Sequence, residues 1–242
     1  MTGDSSLGGL DRLYPFLAAG AAVDAAAGGH DAAVLADAAW SAGTKAAEIA
    51  ELRDQVAARY AEPLAACAEA VAGRLADGGR LFTFGNGGSS TDAQDLATAF
   101  LHPRYGRPLP ALALTTDVAV VTALSNDVGF EVVFARQLAA LGRPGDVAVG
   151  LSTSGGSANL AAAFEEAGRG GMLTVGLAGH QGGRLAELAA AGLLDHLFVV
   201  PSSSVHRIQE AQTTIYHVLW EAVQHVLAVR AGPPGRRLAQ GP

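Results

Sequence analysis

Ser152, Thr153, Ser154 and Ser157 place four hydroxyls in six residues, with only Gly155 and Gly156 between them. Such a stretch is a poor core segment. It is a good cradle for a phosphate, because each hydroxyl can donate to a phosphate oxygen. A second stretch of the same character lies upstream, at Gly85-Asn86-Gly87-Gly88-Ser89. Its glycines allow tight turns and close approach of the backbone to a ligand. Each stretch follows a short apolar run and leads into a helix-compatible segment. In an α/β sheet that order puts both loops at strand carboxyl ends on helix N-termini, where N–H groups and the helix dipole favour an anion. Neither loop continues into Gly-Lys-Ser/Thr, so neither is a P-loop. The first also lacks the third glycine of the dinucleotide fingerprint.

The elements that must carry these loops follow from hydrophobic patterning. Strands are expected at 80–84, 110–114, 146–151, 172–177 and 196–200. Helices are expected at 89–101, about 117–125, 130–141, 157–168, 182–190 and 204–229. Alternating strands and helices imply a doubly wound α/β fold, a five-stranded parallel sheet flanked by helices. Ahead of it, Leu10 to Gly78 is helix-compatible throughout. Leu64, Cys67, Val71 and Leu75 repeat at helical spacing and give one apolar face. Pro63 suits a helix's first turn. Residues 1–44 read as an N-terminal extension, disordered to about residue 9 and then helical. Residues 45–230 read as the main domain and 231–242 as a disordered tail.

Composition narrows the classes. Of 242 residues 50% are apolar, enough for one domain with a substantial core. The net charge is −7 and Lys45 is the lone lysine, which argues against direct nucleic-acid binding. Cys67 is the single cysteine, so no disulfide closes within the chain and no cysteine metal cluster forms. Met1 to Leu10 has Asp4 and no basic residue, unlike a signal peptide, and Leu17 to Gly29 is too short and polar to span a bilayer. A soluble cytoplasmic protein without membrane contact is the expectation. The apolar N- and C-terminal helices exceed what one sheet can cover, which points to a homodimer or homotetramer.

Gly85-Asn86-Gly87-Gly88-Ser89 with Asp92-Ala93-Gln94, Ser125-Asn126-Asp127, Ser152 to Asn159, and Arg207-Ile208-Gln209-Glu210 occur in that order. Together they resemble the sugar isomerase (SIS) domain of phosphoheptose isomerases, over roughly residues 45 to 230. The related DnaA-initiator-associating proteins are a second match of the same fold. The resemblance implies aldose–ketose isomerisation of a heptose phosphate such as sedoheptulose 7-phosphate. The alternative is a non-catalytic SIS module, a sugar-phosphate sensor or an oligomeric protein-binding scaffold.

The resemblance also implies site residues. Ser89, Ser152, Thr153, Ser154 and Ser157 hold phosphate, with Gly87 and Gly88 lining the loop. Asn86, Asn126 and Asp127 hold sugar hydroxyls, although Asn126-Asp127 also reads as a turn leaving through Gly129. The family's catalytic glutamate falls on Ala99, its first histidine on Asp95, its glutamine on Gln209 and its C-terminal histidine on His217. Alanine moves no proton. Asp95 lies one turn before Ala99, and Gln209 and His217 lie two turns apart, so each pair shares a helix face. Asp95, Gln209 and His217 are therefore the candidate catalytic residues. The same three form the candidate set for zinc, which some family members bind. Equally, Asp95 reads as a solvated helix charge and His217 as a packed helix residue.

Overall fold

The computed structural model describes residues 27–232; the expectations for residues 1–26 and for the tail beyond Gly232 lie outside it. The chain divides into two units, Met1–Ala47 and Glu48–Pro242. In chain order the elements are α1 (Ala27–Ala76), β1 (Leu81–Gly85), α2 (Gly88–Leu101), β2 (Ala111–Ala113) and α3 (Val118–Asp127). Then come α4 (Val133–Leu141), β3 (Val147–Leu151), α5 (Ala158–Arg169) and β4 (Leu173–Gly179). The last are α6 (Gly183–Ala190), β5 (His196–Val200) and α7 (Val205–Ala231). A short 3-10 turn, Phe130–Val132, leads into α4.

The sheet is parallel with order β2-β1-β3-β4-β5. From β1 the chain winds one way to β2, then returns across β1 to β3 and winds the other way. The sheet is thus doubly wound, and β1 and β3 flank the point where the winding reverses. In such sheets ligands bind in the crevice beyond the strand carboxyl ends at that point.

Side-chain alternation along the strands explains the two covering layers. Val147, Val149 and Leu151 point into a cluster with Val71 of α1, Leu96 of α2 and Ile215 of α7. Phe82, Phe84 and Ala148 point the other way, onto Phe134 of α4, Phe164 of α5 and Leu185 of α6. Gly150 is required there, since a Cβ on it would lie 2.6 Å from Phe164 and 2.7 Å from Phe84. Those two rings pack with centroids 5.3 Å apart.

Two polar anchors hold the frame. Asp146, 3% exposed, pairs with Arg80 at 2.8 Å and accepts from the Arg80 and Arg143 amides. This ties the amino ends of β1 and β3 together, at the opposite edge from the crevice. Tyr60 of α1 donates to the Val199 carbonyl at 3.0 Å and accepts from the Val199 amide at 2.9 Å. One hydroxyl so satisfies both backbone groups of an edge-strand residue.

Helix α1 differs from expectation. The sequence reading separates an extension over residues 1–44 from the main domain and puts Pro63 in a helix's first turn. One helix covers Ala27–Ala76 and Pro63 is interior to it. Proline removes one backbone bond from a helix interior. Buried Tyr60, Leu64 and Cys67 flank it on one face, so packing on both sides keeps the helix going. Cys67 is fully buried and its thiol is pushed up to about 12, first by burial and then by the Asp195 charge, so it stays a neutral hydrophobe. Among the described residues no helix is long and apolar enough to cross a membrane.

Candidate active site

The register of β1 on β3 sets the site. Gly85 pairs with Leu151, so the two Gly/Ser loops leave the sheet side by side at the same level. A reciprocal amide pair joins them. Asn86 Nδ2 donates to Asn159 Oδ1 at 2.9 Å, and Asn159 Nδ2 donates to Asn86 Oδ1 at 2.8 Å. Asn159 is 3% exposed.

Both loops run into helices that no side chain caps. Gly87, in a positive-φ conformation, is the N-cap of α2, and Ser157 is the N-cap of α5 without a cap hydrogen bond. By contrast Asp117 caps α3 and Ser204 caps α7. The Ser89, Ser90 and Leu160 amides turn back onto the Asn86, Gly87 and Ser157 carbonyls, while the Gly88, Ala158 and Asn159 amides of the first turns have no acceptor among the described residues, as an anion requires.

Inside the second loop the hydroxyls are organised. Ser152 Oγ accepts from the Gly155 amide at 3.0 Å and lies 3.3 Å from Ser157 Oγ. Ser154 Oγ accepts from the Gly156 amide at 3.2 Å and is exposed; Thr153 is half-buried. Ser89 is buried at 3% on the first turn of α2. Gln212 of α7 steadies this loop from below, with Nε2 donating to the Ser152 carbonyl at 3.1 Å.

Helices α2 and α7 run alongside each other in the same direction. Gln209 lies against Gly88, where a Cβ would come within 2.2 Å of its Nε2 and would displace the end of that side chain. The same Nε2 donates to Asp92 at 3.3 Å. Burial raises the Asp92 carboxyl above its usual range; the Gln209 hydrogen bond opposes this and the Asp95 charge adds to it. Further along, Asp95 Oδ2 accepts from the Tyr216 hydroxyl at 2.8 Å and lies 3.2 Å from His217 Nε2. Burial raises the Tyr216 phenol well above its ordinary value; a hydrogen bond with Thr213 opposes the shift, and Asp95 adds to it. Tyr216 is therefore a protonated donor to Asp95. Beyond this pair opens a cleft of about 520 Å³, lined among others by Asp95, Ala99, His217 and Glu221.

The structure therefore gathers most of the expected residues. Asn86, Gly87, Gly88, Ser89, Ser152, Thr153, Ser154 and Ser157 meet at the crevice, and Gln209 joins them over Gly88. Asp95 and His217 pair next to Ala99. Asn126 and Asp127 end α3, both exposed, with Asn126 Nδ2 donating to Asp127 Oδ1 at 2.8 Å rather than to either loop. Of the three-member zinc set, Asp95 and His217 lie beside each other, and Gln209 stands nearer the loops on the same helix as His217. Gln209 donates to Asp92 through Nε2, so its Oε1, the atom that would ligate a metal, is not used by that bond. Among the described residues no group of three His, Cys, Asp or Glu is placed to hold a metal ion.

Sequence reasoning left Asn159, Gln212, Tyr216 and Glu221 without a role. A signal existed for those on α7. Gln209, Gln212 and Tyr216 recur at helical spacing, and Glu221 follows His217 by one turn, so each set shares a helix face.

Comparison with known proteins agrees with this geometry. The model of the SIS domain matches residues 46–179. A phosphoheptose isomerase of Aquifex aeolicus is 41% identical over 186 residues, 76% of this chain and 95% of the relative. One from Roseiflexus is 48% identical over 168 residues, 68% of this chain and 82% of the relative. Among solved structures, the phosphoheptose isomerase of Neisseria gonorrhoeae superposes with a TM-score of 0.71 at 36% identity, covering 76% of this chain and 97% of that one. That of Francisella tularensis gives 0.66 at 34% identity, covering 76% and 98%. The chain belongs to the SIS-domain family, in the phosphoheptose isomerase group.

Proposed function

We propose that this protein is a phosphoheptose isomerase that interconverts sedoheptulose 7-phosphate, or a similar heptose phosphate, with its aldose. The observation that carries the reading is the paired crevice: two uncapped helix N-termini locked side by side by Asn86 and Asn159. Phosphate binds there, held by first-turn amides and by the hydroxyls of Ser89, Ser152, Ser154 and Ser157, with Thr153 in support.

Distance fits the sugar. Gly88 and Asp95 are seven residues apart on α2, about 10 Å at 1.5 Å per residue. That is the length scale of an extended seven-carbon chain. With phosphate at the loops, the first two carbons reach Asp95 and His217, and Gln209, Asn126 and Asp127 are the candidate partners of the intervening hydroxyls. Asp95 holds the His217 imidazole, which moves the hydroxyl proton between the two oxygens of the enediol. Asp95 acts through His217, because its Oδ2 already accepts from Tyr216 and faces the imidazole. No step is assigned to a metal; zinc, if bound, would draw on Asp95, His217 and Gln209 Oε1.

We assign the working form to a homodimer or homotetramer in the cytoplasm. Support comes from α3, none of whose residues is buried, with Val118 67% exposed. An apolar groove of about 580 Å³, lined by Leu112, Val120, Leu124 and Leu141 among others, runs beside it. Light scattering of a dimer or larger supports this; a clean monomer at micromolar concentration contradicts it.

Incubation with sedoheptulose 7-phosphate, with and without a chelator, tests the function. An aldose phosphate forms in both samples if the reading is right. Retained binding with no turnover would favour a sugar-phosphate sensor, the reading that Ala99 supports.

A further inference from the structure

Isomerisation needs a base that takes a proton from carbon and returns it to the neighbouring carbon, besides the group that serves the oxygens. The cleft beyond the phosphate loops offers few ionisable side chains: Asp95, His102, Arg104, Tyr105, His217 and Glu221. Arg104 is a permanent cation and no base. Asp95 Oδ2 is taken by Tyr216 and His217. His217, tied to that carboxylate, is placed for oxygen protons. His102 stands at the C-cap of α2 and is exposed. Glu221 is left, and among the described residues no cation pairs with it.

We propose that Glu221 is the carbon base of the isomerisation, an assignment that rests on the isomerase reading above. Glu221 follows His217 by four residues on α7, so both lie on one face. Helical side chains lean toward the helix N-terminus, which brings the Glu221 carboxylate back toward His217 and the phosphate loops. Ala99, on the facing helix, lines the same cleft with only a methyl group and leaves that space open. The neutral phenol of Tyr105 neighbours Glu221; its ionisation is raised by desolvation first and by the Glu221 carboxylate second.

The proton balance closes without a co-reactant. From the ketose, Glu221 takes a proton from the hydroxymethyl carbon. The released electron pair forms the enediol double bond, and the carbonyl oxygen takes a proton from protonated His217. In the second half, neutral His217 removes the proton from the other enediol hydroxyl as the aldehyde forms. The double-bond pair takes the proton back from the Glu221 carboxylic acid, at the former carbonyl carbon.

The experiment compares wild type, Glu221→Gln and Glu221→Asp in deuterated water with sedoheptulose 7-phosphate. Readouts are aldose formation, deuterium entering the sugar carbons, and the ligand-induced rise in melting temperature. Glu221 is exposed, so both variants fold. The expected result is a loss of about 10²–10⁴-fold in turnover and exchange for the glutamine variant. The aspartate variant loses less, and the melting shift persists in both. Wild-type exchange in Glu221→Gln, or Glu221→Asp as poor as Glu221→Gln, overturns the assignment while the isomerase reading stands. A wild-type protein with neither turnover nor exchange overturns both.

Discussion

Asn86 and Asn159 hold each other through two amide hydrogen bonds, 2.9 and 2.8 Å long, across 73 residues of chain. One residue follows β1 and the other stands in the first turn of α5. The pair therefore fixes the spacing between the α2 and α5 helix ends to which phosphate is assigned.

Breaking that pair is the first test. Asn86→Ala leaves the buried Asn159 amide unmatched, which costs about 1–3 kcal/mol. Denaturant unfolding should show that loss, and sugar-phosphate affinity should fall with it. The double variant Asn86→Ala with Asn159→Ala should lose less than the sum of the single losses, because the second change removes the orphaned group. Strictly additive losses would mean that the two amides do not act as a unit.

The hydroxyl loop gives a second outcome. Ser154→Ala with Ser157→Ala removes two donors to a charged ligand, each contributing about 1.5–3 kcal/mol. Sugar phosphates should bind at least about 100-fold more weakly by titration calorimetry. Unchanged affinity would place the phosphate elsewhere.

The two loops were legible in the sequence because the same Gly/Ser cluster recurs after two apolar runs, where one alone reads as an ordinary βα turn. The strands and the later helices were legible too, since short continuous apolar runs alternated with helix-compatible segments. The continuity of α1 through Pro63 was not, because proline reads locally as a first-turn residue, while buried Tyr60, Leu64 and Cys67 keep the helix going by packing. The engagement of Gln209 by Asp92 was hidden for a related reason. Shared helix faces show which residues can meet, but the facing helix decides which do. The Asn86–Asn159 pair joins residues far apart in sequence and left no local signature.

A third prediction concerns proton movement. Asp95→Asn and His217→Ala should each lower turnover by about 10²–10⁴-fold, with ligand-induced stabilisation retained. Ala99→Glu, which adds a carboxylate to the same cleft, should raise it. Steady-state rates and melting shifts on the same samples check this. Robust turnover surviving both losses would put the chemistry on other residues.

A fourth separates frame from site. Asp146→Ala leaves the Arg80 guanidinium without its buried partner, at a cost of about 3–5 kcal/mol for breaking such a pair. Arg80 keeps 34% exposure, so the lower end of that range is expected. The change lies at the amino ends of β1 and β3, so sugar-phosphate affinity of the folded protein should not move. Calorimetric melting and ligand titration together read both effects.

The most direct test of the whole account is a crystal structure with sedoheptulose 7-phosphate bound. The account predicts phosphate between the Asn86–Ser89 and Ser152–Ser157 loops, on the first turns of α2 and α5, with the first two carbons beside His217. Phosphate bound away from these loops, or a sugar whose first two carbons lie far from His217, would contradict it.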